Sequence, residues 1–140
     1  ETLHFYRWRV NYEKEELQKI LRKKSGIDFG DLQHLIPVER GPSGRISKLK
    51  IIGSKRTVVV GKELEIRRWL SETHLLSSAF VVASEHDPEG NIKRFVLHGG
   101  GWGHGVGLCQ IGAAVMAVRG FQAGNILRHY FPGATVQKLY

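Results

Sequence analysis

Residues 99–107 have the sequence Gly-Gly-Gly-Trp-Gly-His-Gly-Val-Gly, so six of nine consecutive positions are glycine. Each glycine in a folded segment costs roughly 0.5–1 kcal/mol relative to alanine, because its backbone loses more freedom on folding. A folded chain keeps so many glycines where the backbone needs left-handed dihedral angles or approaches another group closely. The segment therefore predicts a specialised loop around Trp102 and His104.

Composition and charge set the class of protein and of partner. A chain of 140 residues is long enough for one domain with a hydrophobic core, and it has no apolar run of about 18 residues that would predict a membrane span. The formal net charge of +8 favours an anionic partner, which can be nucleic acid, an acidic polymer or an anionic cell envelope. The single cysteine excludes an internal disulfide.

The pattern of apolar and turn residues predicts a single α+β domain with mostly antiparallel hairpins and three to four short helices. Hairpins are expected over residues 45–60 and 79–97, each with a short turn between two apolar strands. The helix at 111–118 is apolar nearly all round, which predicts that it is buried. The predicted strands are 3–12, 32–38, 45–53, 57–60, 79–84, 92–97 and 134–140, and the predicted helices are 13–24, 62–70, 111–118 and 125–131.

The glycine segment does not match the common phosphate-binding motifs. A dinucleotide fingerprint needs glycine at positions i, i+2 and i+5, and no such triple occurs from 99 to 112. The chain also lacks the Gly-Lys-Ser/Thr of a P-loop, and no helix-turn-helix or ladder of aromatic and basic residues supports nucleic-acid binding. A glycine-rich junction between a strand and a helix can still hold an anion through its backbone N–H groups.

His104 and Cys109 allow three interpretations besides ligand binding through the loop. A metal site would use both with His98 or His129, but the spacings match no standard zinc pattern. A nucleophilic Cys109 activated by His104 lacks an evident orienting Asn or Asp. His104 can also be a hydrogen-bonded core histidine, with the glycines letting two segments cross. No metal or other cofactor is therefore predicted.

Trp102 and His104 favour a binding function when they are taken together with the glycines. Backbone without side chains leaves room for a bulky ligand beside the indole and the imidazole. An exposed indole beside such backbone suits a sugar ring, whose apolar face packs on the aromatic ring while its hydroxyls find polar partners.

Several segments carry a resemblance to a known family. The run Gly-Trp-Gly-His-Gly-Val-Gly-Leu-Cys-Gln-Ile-Gly-Ala at 101–113 is similar to the closing signature of the SpoIID/LytB family, although Leu-Cys replaces its more usual Met-Ser. This family comprises the stage II sporulation D proteins and LytB-type amidase enhancers. Further similarity lies in Tyr6-Arg-Trp8, Glu16-Leu17, Val38-Glu-Arg-Gly-Pro-Ser-Gly-Arg45, Met116-Ala117, Gly120, Ile126-Leu127 and Tyr130-Phe-Pro-Gly133.

The resemblance implies action on peptidoglycan in the bacterial cell envelope, outside the cytoplasm. Sporulation members resemble lytic transglycosylases, in which a carboxylic acid protonates the glycosidic oxygen and the muramic acid 6-hydroxyl closes an anhydro ring. The family's catalytic glutamate belongs to an N-terminal half that residues 1–140 do not match. The chain is therefore expected to be the C-terminal portion of the domain, with its catalytic residues unknown and its activity dependent on the missing half.

Acids within the chain are weak substitutes for that glutamate. Glu85 and Asp87 lie at a predicted turn, where solvation is expected to keep a carboxyl pKa near its ordinary value. Glu39 is next to Arg40, and a neighbouring cation lowers a carboxyl pKa, which is the wrong direction for a general acid.

The resemblance implies a substrate-binding set made of Trp102, Gly103, His104, Gly105, Gly107 and Gln110. The expected partners are peptidoglycan glycan strands, with an N-terminal fragment or a cell-wall amidase, and not nucleic acid. The main functional prediction is a lytic transglycosylase-like domain that cleaves or binds glycan strands. The alternative is a wall-binding or amidase-enhancing module without catalytic activity.

Overall fold

The computed structural model describes residues 6–137 and confirms the predicted α+β class. The predicted strand at 134–140 is wrong for residues 134–137, which have no regular structure, whereas positions 3–5 and 138–140 lie outside the described residues. The elements in chain order are β1 (Arg7–Glu13), α1 (Lys14–Ser25), β2 (Leu32–Arg40), β3 (Ile46–Gly53), β4 (Thr57–Gly61), α2 (Glu63–Trp69), β5 (Phe80–His86), β6 (Ile92–Gly100), α3 (Gln110–Val118) and α4 (Ala123–Tyr130).

The strands form two antiparallel three-stranded sheets, with strand orders β1-β6-β5 and β2-β3-β4. Both predicted hairpins are confirmed, because β3 pairs with β4 and β5 pairs with β6. The strand β1 lies at a sheet edge and places Arg7 opposite Gly100 and Arg9 opposite His98. The end of β6 therefore carries the glycine segment away from an ordered sheet.

Helix α1 lies where the sequence predicts a helix, at residues 13–24. Its apolar stripe, Leu17, Ile20 and Leu21, is buried, while acidic residues occupy the first turn and basic residues the last turn, as the helix dipole favours. Gly26 ends the helix in the left-handed conformation, with φ of 74°, and its N–H donates to the Arg22 carbonyl at 2.9 Å.

Residues 1–104 and residues 105–140 form two compact units. The hydrophobic core of the first unit joins α1 and α2 to both sheets, and its fully buried side chains include Leu17, Leu49, Ile66, Phe95 and Leu97. The hydroxyl of Tyr12 donates to the Leu70 carbonyl at 2.6 Å within this core.

The second unit contains α3 and α4, and there the prediction of a buried helix is wrong. None of the α3 residues is buried, and Val118 is 89% exposed. Gly112 lies against the hydroxyl of Tyr130, so the small residues of α3 let α4 approach closely. Among residues 105–137 the structure describes α4 as the one other helix and no strand, and Ile111 and Val115 of α3 are exposed.

Candidate functional site

The glycines of the loop adopt the backbone angles that the sequence predicted. Gly101, Gly103, Gly105 and Gly107 have φ of 74°, 90°, 74° and 78°, and the residues between them have no positive φ. Side chains with a Cβ rarely adopt such angles, so each of these positions requires glycine. The sign of φ therefore alternates along the loop.

Gly99 is required for the second expected reason, a close approach. It lies in β6 opposite Trp8, and a Cβ added there would overlap the six-membered ring of the Trp8 indole. The indole packs over bare backbone and contacts Phe80 at 6.2 Å between ring centroids. The end of β6 is therefore shaped by one partly buried tryptophan of the edge strand.

Several hydrogen bonds hold the start of the loop. The indole Nε1 of Trp8 donates to the Gly101 carbonyl at 3.1 Å, and Nε of Arg45 donates to the Gly103 carbonyl at 3.1 Å. The Gly103 N–H donates to the Leu76 carbonyl at 2.7 Å, and the hydroxyl of the buried Ser77 donates to the Gly100 carbonyl at 2.7 Å. A loop rich in glycine is thus fixed by partners from three distant segments.

The two rings on this loop lie at the surface. Trp102 is 59% exposed, and His104 is exposed as well. The exposed imidazole contradicts the interpretation of His104 as a core histidine. An indole and an imidazole presented two residues apart on fixed backbone can meet a ligand with an apolar face and hydroxyl groups.

The predicted binding residues divide between the two compact units. Trp102, Gly103 and His104 end the first unit, and the other three, Gly105, Gly107 and Gln110, begin the second. Gln110 is the exposed first residue of α3. The role of each as a substrate-binding residue stays a prediction.

Cys109 caps α3. Its Sγ accepts a hydrogen bond from the Gly112 N–H at 3.4 Å, so the cysteine fills the N-cap position as a hydroxyl would. Across residues 6–137 no group of three or more histidine, cysteine, aspartate or glutamate side chains is arranged to hold a metal ion.

Two of the candidate acids have lowered pKa values. Hydrogen bonds from Lys48 at 2.7 Å and Ser47 at 2.8 Å lower the pKa of Glu39. The predicted direction is confirmed, but the cause is Lys48 and not the neighbouring Arg40. The backbone N–H of Asn91, at 2.8 Å, lowers the pKa of Asp87 below the ordinary value that its turn predicted, because it stabilises the charged form.

Glu85 is an exposed member of an ion-pair row, 3.0 Å from Arg94 and 3.7 Å from Arg9. None of the aspartate and glutamate side chains in the described part of the chain is buried. Burial in apolar surroundings is the usual way to keep a carboxylic acid protonated for acid catalysis. These three carboxylates therefore lack the setting of a general acid.

Sequence reasoning missed Arg45 as an anchor of the loop and a hollow lined by arginines on the exposed face of the β1-β6-β5 sheet. The hollow includes Arg7, Arg40 and His98. The alternation of Arg7 and Arg9 along β1 was a signal for a basic face, but Arg40 reaches it from the other sheet.

These features define an α+β domain that presents an indole and an imidazole on a fixed glycine loop. The chain belongs to the family described as a domain of unknown function, DUF8618, whose model matches residues 1–107 of the 140. No helix within residues 6–137 has the length and apolar character needed to cross a membrane.

The chain is also similar to a curated protein, the amidase enhancer of Bacillus subtilis (strain 168). The two are 30% identical over 83 residues, which are 59% of this chain and 11% of the relative. The chain thus spans about a tenth of the length of that protein.

Proposed function

We propose that this chain is a glycan-binding module of the SpoIID/LytB type, which acts in the bacterial cell envelope and enhances a cell-wall amidase. The observation that carries the proposal is the exposed Trp102 on a loop fixed by Trp8 and Arg45. The similarity to an amidase enhancer supports the association with an amidase.

The chemistry of the loop suits a glycan strand. A sugar ring stacks its apolar face on the Trp102 indole, and the exposed His104 two residues on is a second polar group on the same loop. Gln110, which belongs to the second compact unit, carries an amide of the kind that hydrogen-bonds sugar acetamido groups. Gly103, Gly105 and Gly107 leave the backbone accessible because they carry no side chains. The net charge of +8 favours an anionic wall as the surrounding polymer.

A lytic transglycosylase is the second candidate. It is supported by the likeness of residues 101–113 to the SpoIID/LytB family, whose sporulation members resemble lytic transglycosylases. Its general acid would come from an N-terminal half, because Glu39, Glu85 and Asp87 are hydrogen-bonded or ion-paired as carboxylates. Catalysis is then a property of the completed domain, and glycan binding is a property of this chain.

Glycan binding is tested by titrating chitooligosaccharide and denuded glycan into the wild type, Trp102→Ala and His104→Ala. A sugar ring that covers roughly 60 Å² of indole contributes about 1.5 kcal/mol, so Trp102→Ala is expected to bind about tenfold more weakly. Leu64→Ala is the matched control, since Leu64 is a 55% exposed apolar side chain on α2. Equal binding by Trp102→Ala and the wild type would refute the proposed site.

Catalysis and enhancement are separated by two assays. Denuded glycan is incubated with this chain and with a version extended at its N-terminus, and anhydromuramic ends are sought by mass spectrometry. If anhydromuramic ends form only with the extended version, the transglycosylase is supported. If they form with residues 1–140 without the extension, the argument that the general acid comes from an N-terminal half is contradicted. A cell-wall amidase that releases stem peptides faster with the chain than with Trp102→Ala supports enhancement, and an unchanged rate contradicts it.

A further inference from the structure

The exposed face of the β1-β6-β5 sheet carries a shallow hollow of about 320 Å³ near the start of the glycine loop. Arg7 and His98 come from neighbouring strands of the sheet, and Arg40 comes from the end of β2. Val81 and Gly100 are among the other residues that line it. A volume at the lower end of the range of ligand pockets, about 300–1,000 Å³, has room for one charged group together with part of a sugar or polyol unit.

The Arg7 guanidinium is held in place by its neighbour. Its Nη1 donates to the Tyr6 carbonyl at 2.9 Å, and its Cζ lies 4.2 Å from the centre of the Tyr6 ring. A cation over an aromatic face is attracted to the ring and loses orientational freedom. Because a guanidinium has five N–H donors, most of them remain available to a ligand.

The Arg40 guanidinium is fixed from two sides. Its Nη1 donates to the Gly44 carbonyl at 2.8 Å, and its Nη2 donates to the Phe80 carbonyl at 2.7 Å. The second bond crosses from β2 to β5 and brings a cation of one sheet to the face of the other. Both bonds go to neutral carbonyls, so the positive charge is not neutralised by them.

Arg7 and Arg40 differ in this respect from Arg94, which lies on β6 in the same sheet as Arg7. Arg94 lies between Glu13 and Glu85 and pairs with both. Neither Arg7 nor Arg40 has a carboxylate within 4.0 Å among the residues that the structure describes. One end of the face is therefore balanced in charge, and the end beside the glycine loop is cationic.

Gly100 makes room for the Arg7 guanidinium. A Cβ at this position would lie 3.1 Å from Nη1 of Arg7, closer than an ordinary contact. The φ angle of Gly100 is not positive, so the backbone itself does not require glycine here. Its absent side chain lets the cation lie low over the sheet, beside the exposed His98.

We propose that the hollow formed by Arg7, Arg40 and His98 binds an oxyanion, a carboxylate or a phosphate, carried by an anionic cell-wall polymer. The planar guanidinium fork matches both groups, and each charge-assisted pair is stronger than a neutral hydrogen bond. The identity of the polymer rests on the proposed function, whereas the oxyanion chemistry rests on the hollow itself. The site gives the module a second contact next to the loop of Trp102.

The test compares three polymers at low salt: denuded glycan, which carries muramic carboxylates, chitooligosaccharide, which is neutral, and poly(glycerol phosphate). At least one anionic polymer is expected to bind about tenfold or more tightly than the neutral oligomer. Arg7→Gln is expected to weaken the binding of that polymer about ten- to hundredfold and to leave the affinity for the neutral oligomer unchanged. Preference for denuded glycan assigns a carboxylate, and preference for poly(glycerol phosphate) assigns a phosphate.

Two further variants separate the hollow from general charge. Lys93→Gln removes an equal charge from an exposed position of β6 and is expected to change affinity less than twofold. Gly100→Ala keeps every charge but displaces the Arg7 guanidinium. It is expected to weaken the binding of the anionic polymer about threefold. Equal losses in Arg7→Gln and Lys93→Gln would overturn the site, as would an Arg7→Gln variant that binds like the wild type.

The outcomes distinguish this inference from the proposed function. Neutral and anionic polymers that bind equally, both dependent on Trp102, would overturn the oxyanion site and leave the glycan-binding proposal standing. If the chain binds poly(glycerol phosphate) through Arg7 but binds neither denuded glycan nor chitooligosaccharide, the oxyanion site is supported and the glycan-binding proposal is overturned.

Discussion

Gly99→Ala is expected to destabilise the first compact unit through a single steric conflict. The φ angle of Gly99 is not positive, so alanine fits the backbone, and the conflict lies in the methyl group alone. That group would overlap the Trp8 indole, a rigid ring that packs against Phe80 and donates to the Gly101 carbonyl. The ring has to move, and the hydrogen bond to the loop is lost with it.

The magnitude follows from those two changes. Overpacking of a filled site costs about 1–3 kcal/mol, and loss of a neutral hydrogen bond costs about 1 kcal/mol. The free energy of unfolding of Gly99→Ala is therefore expected to fall by about 2–4 kcal/mol. The same change releases one of the anchors of the Trp102 loop, so glycan binding is expected to weaken even where the variant remains folded.

Urea unfolding followed by far-ultraviolet circular dichroism measures this change. Gly61→Ala in β4 is the control, because a Cβ there meets only the Ser47 carbonyl at 4.0 Å, and its effect is expected within about 0.5 kcal/mol. Combining Gly99→Ala with Trp8→Phe is expected to show a coupling of at least about 1 kcal/mol, since a smaller ring relieves the overlap. A loss below about 1 kcal/mol in Gly99→Ala, with additive effects in the pair, would refute the reasoning.

Two further predictions concern other contacts. Burial raises the pKa of Tyr12 from 10.0 to about 12, so the folded state holds this proton more tightly than the unfolded chain. The neutral, buried phenol contributes stability that is fully present below pH 10 and is lost as the pH rises to about 12. Urea unfolding across that pH range measures this loss, and the Tyr12→Phe variant is expected not to show it. In the second unit, the added methyl group of Gly112→Ala would meet the Tyr130 hydroxyl, so the free energy of unfolding is expected to fall by about 1–3 kcal/mol. Gly124→Ala, which meets no atom closer than 3.9 Å, is expected to raise it by about 0.5–1 kcal/mol, and the reverse order in calorimetry would contradict the contact.

Local patterns were enough to predict much of the fold. The sequence predicted the helix at 13–24, and the spacing of Leu17, Ile20 and Leu21 is the kind of local signal that suffices for it, since helical periodicity is a property of neighbouring residues. The same argument failed for α3, where an apolar composition predicted burial and the side chains lie exposed. Burial depends on which other elements cover a helix, and a local pattern does not contain that information.

The candidate site shows the same division. The alternation of glycine with Trp102 and His104 was enough to predict a loop with left-handed backbone, and the resemblance singled out both rings. The anchors of the loop were not predictable, because Trp8 and Arg45 lie 93 and 58 residues away from the carbonyls they bind. Nothing in the sequence near Arg40 indicated that it would cross to the carbonyl of Phe80.

The sequence by itself determined where this backbone must turn left-handed and which aromatic and basic side chains it carries, because those are properties of single residues and their near neighbours. Only the tertiary structure decided which indole packs over Gly99, which guanidiniums lack a carboxylate among residues 6–137, and which apolar helix stays exposed. Those outcomes depend on strand register and on the packing of segments far apart in the chain, where small differences in position decide whether two groups meet.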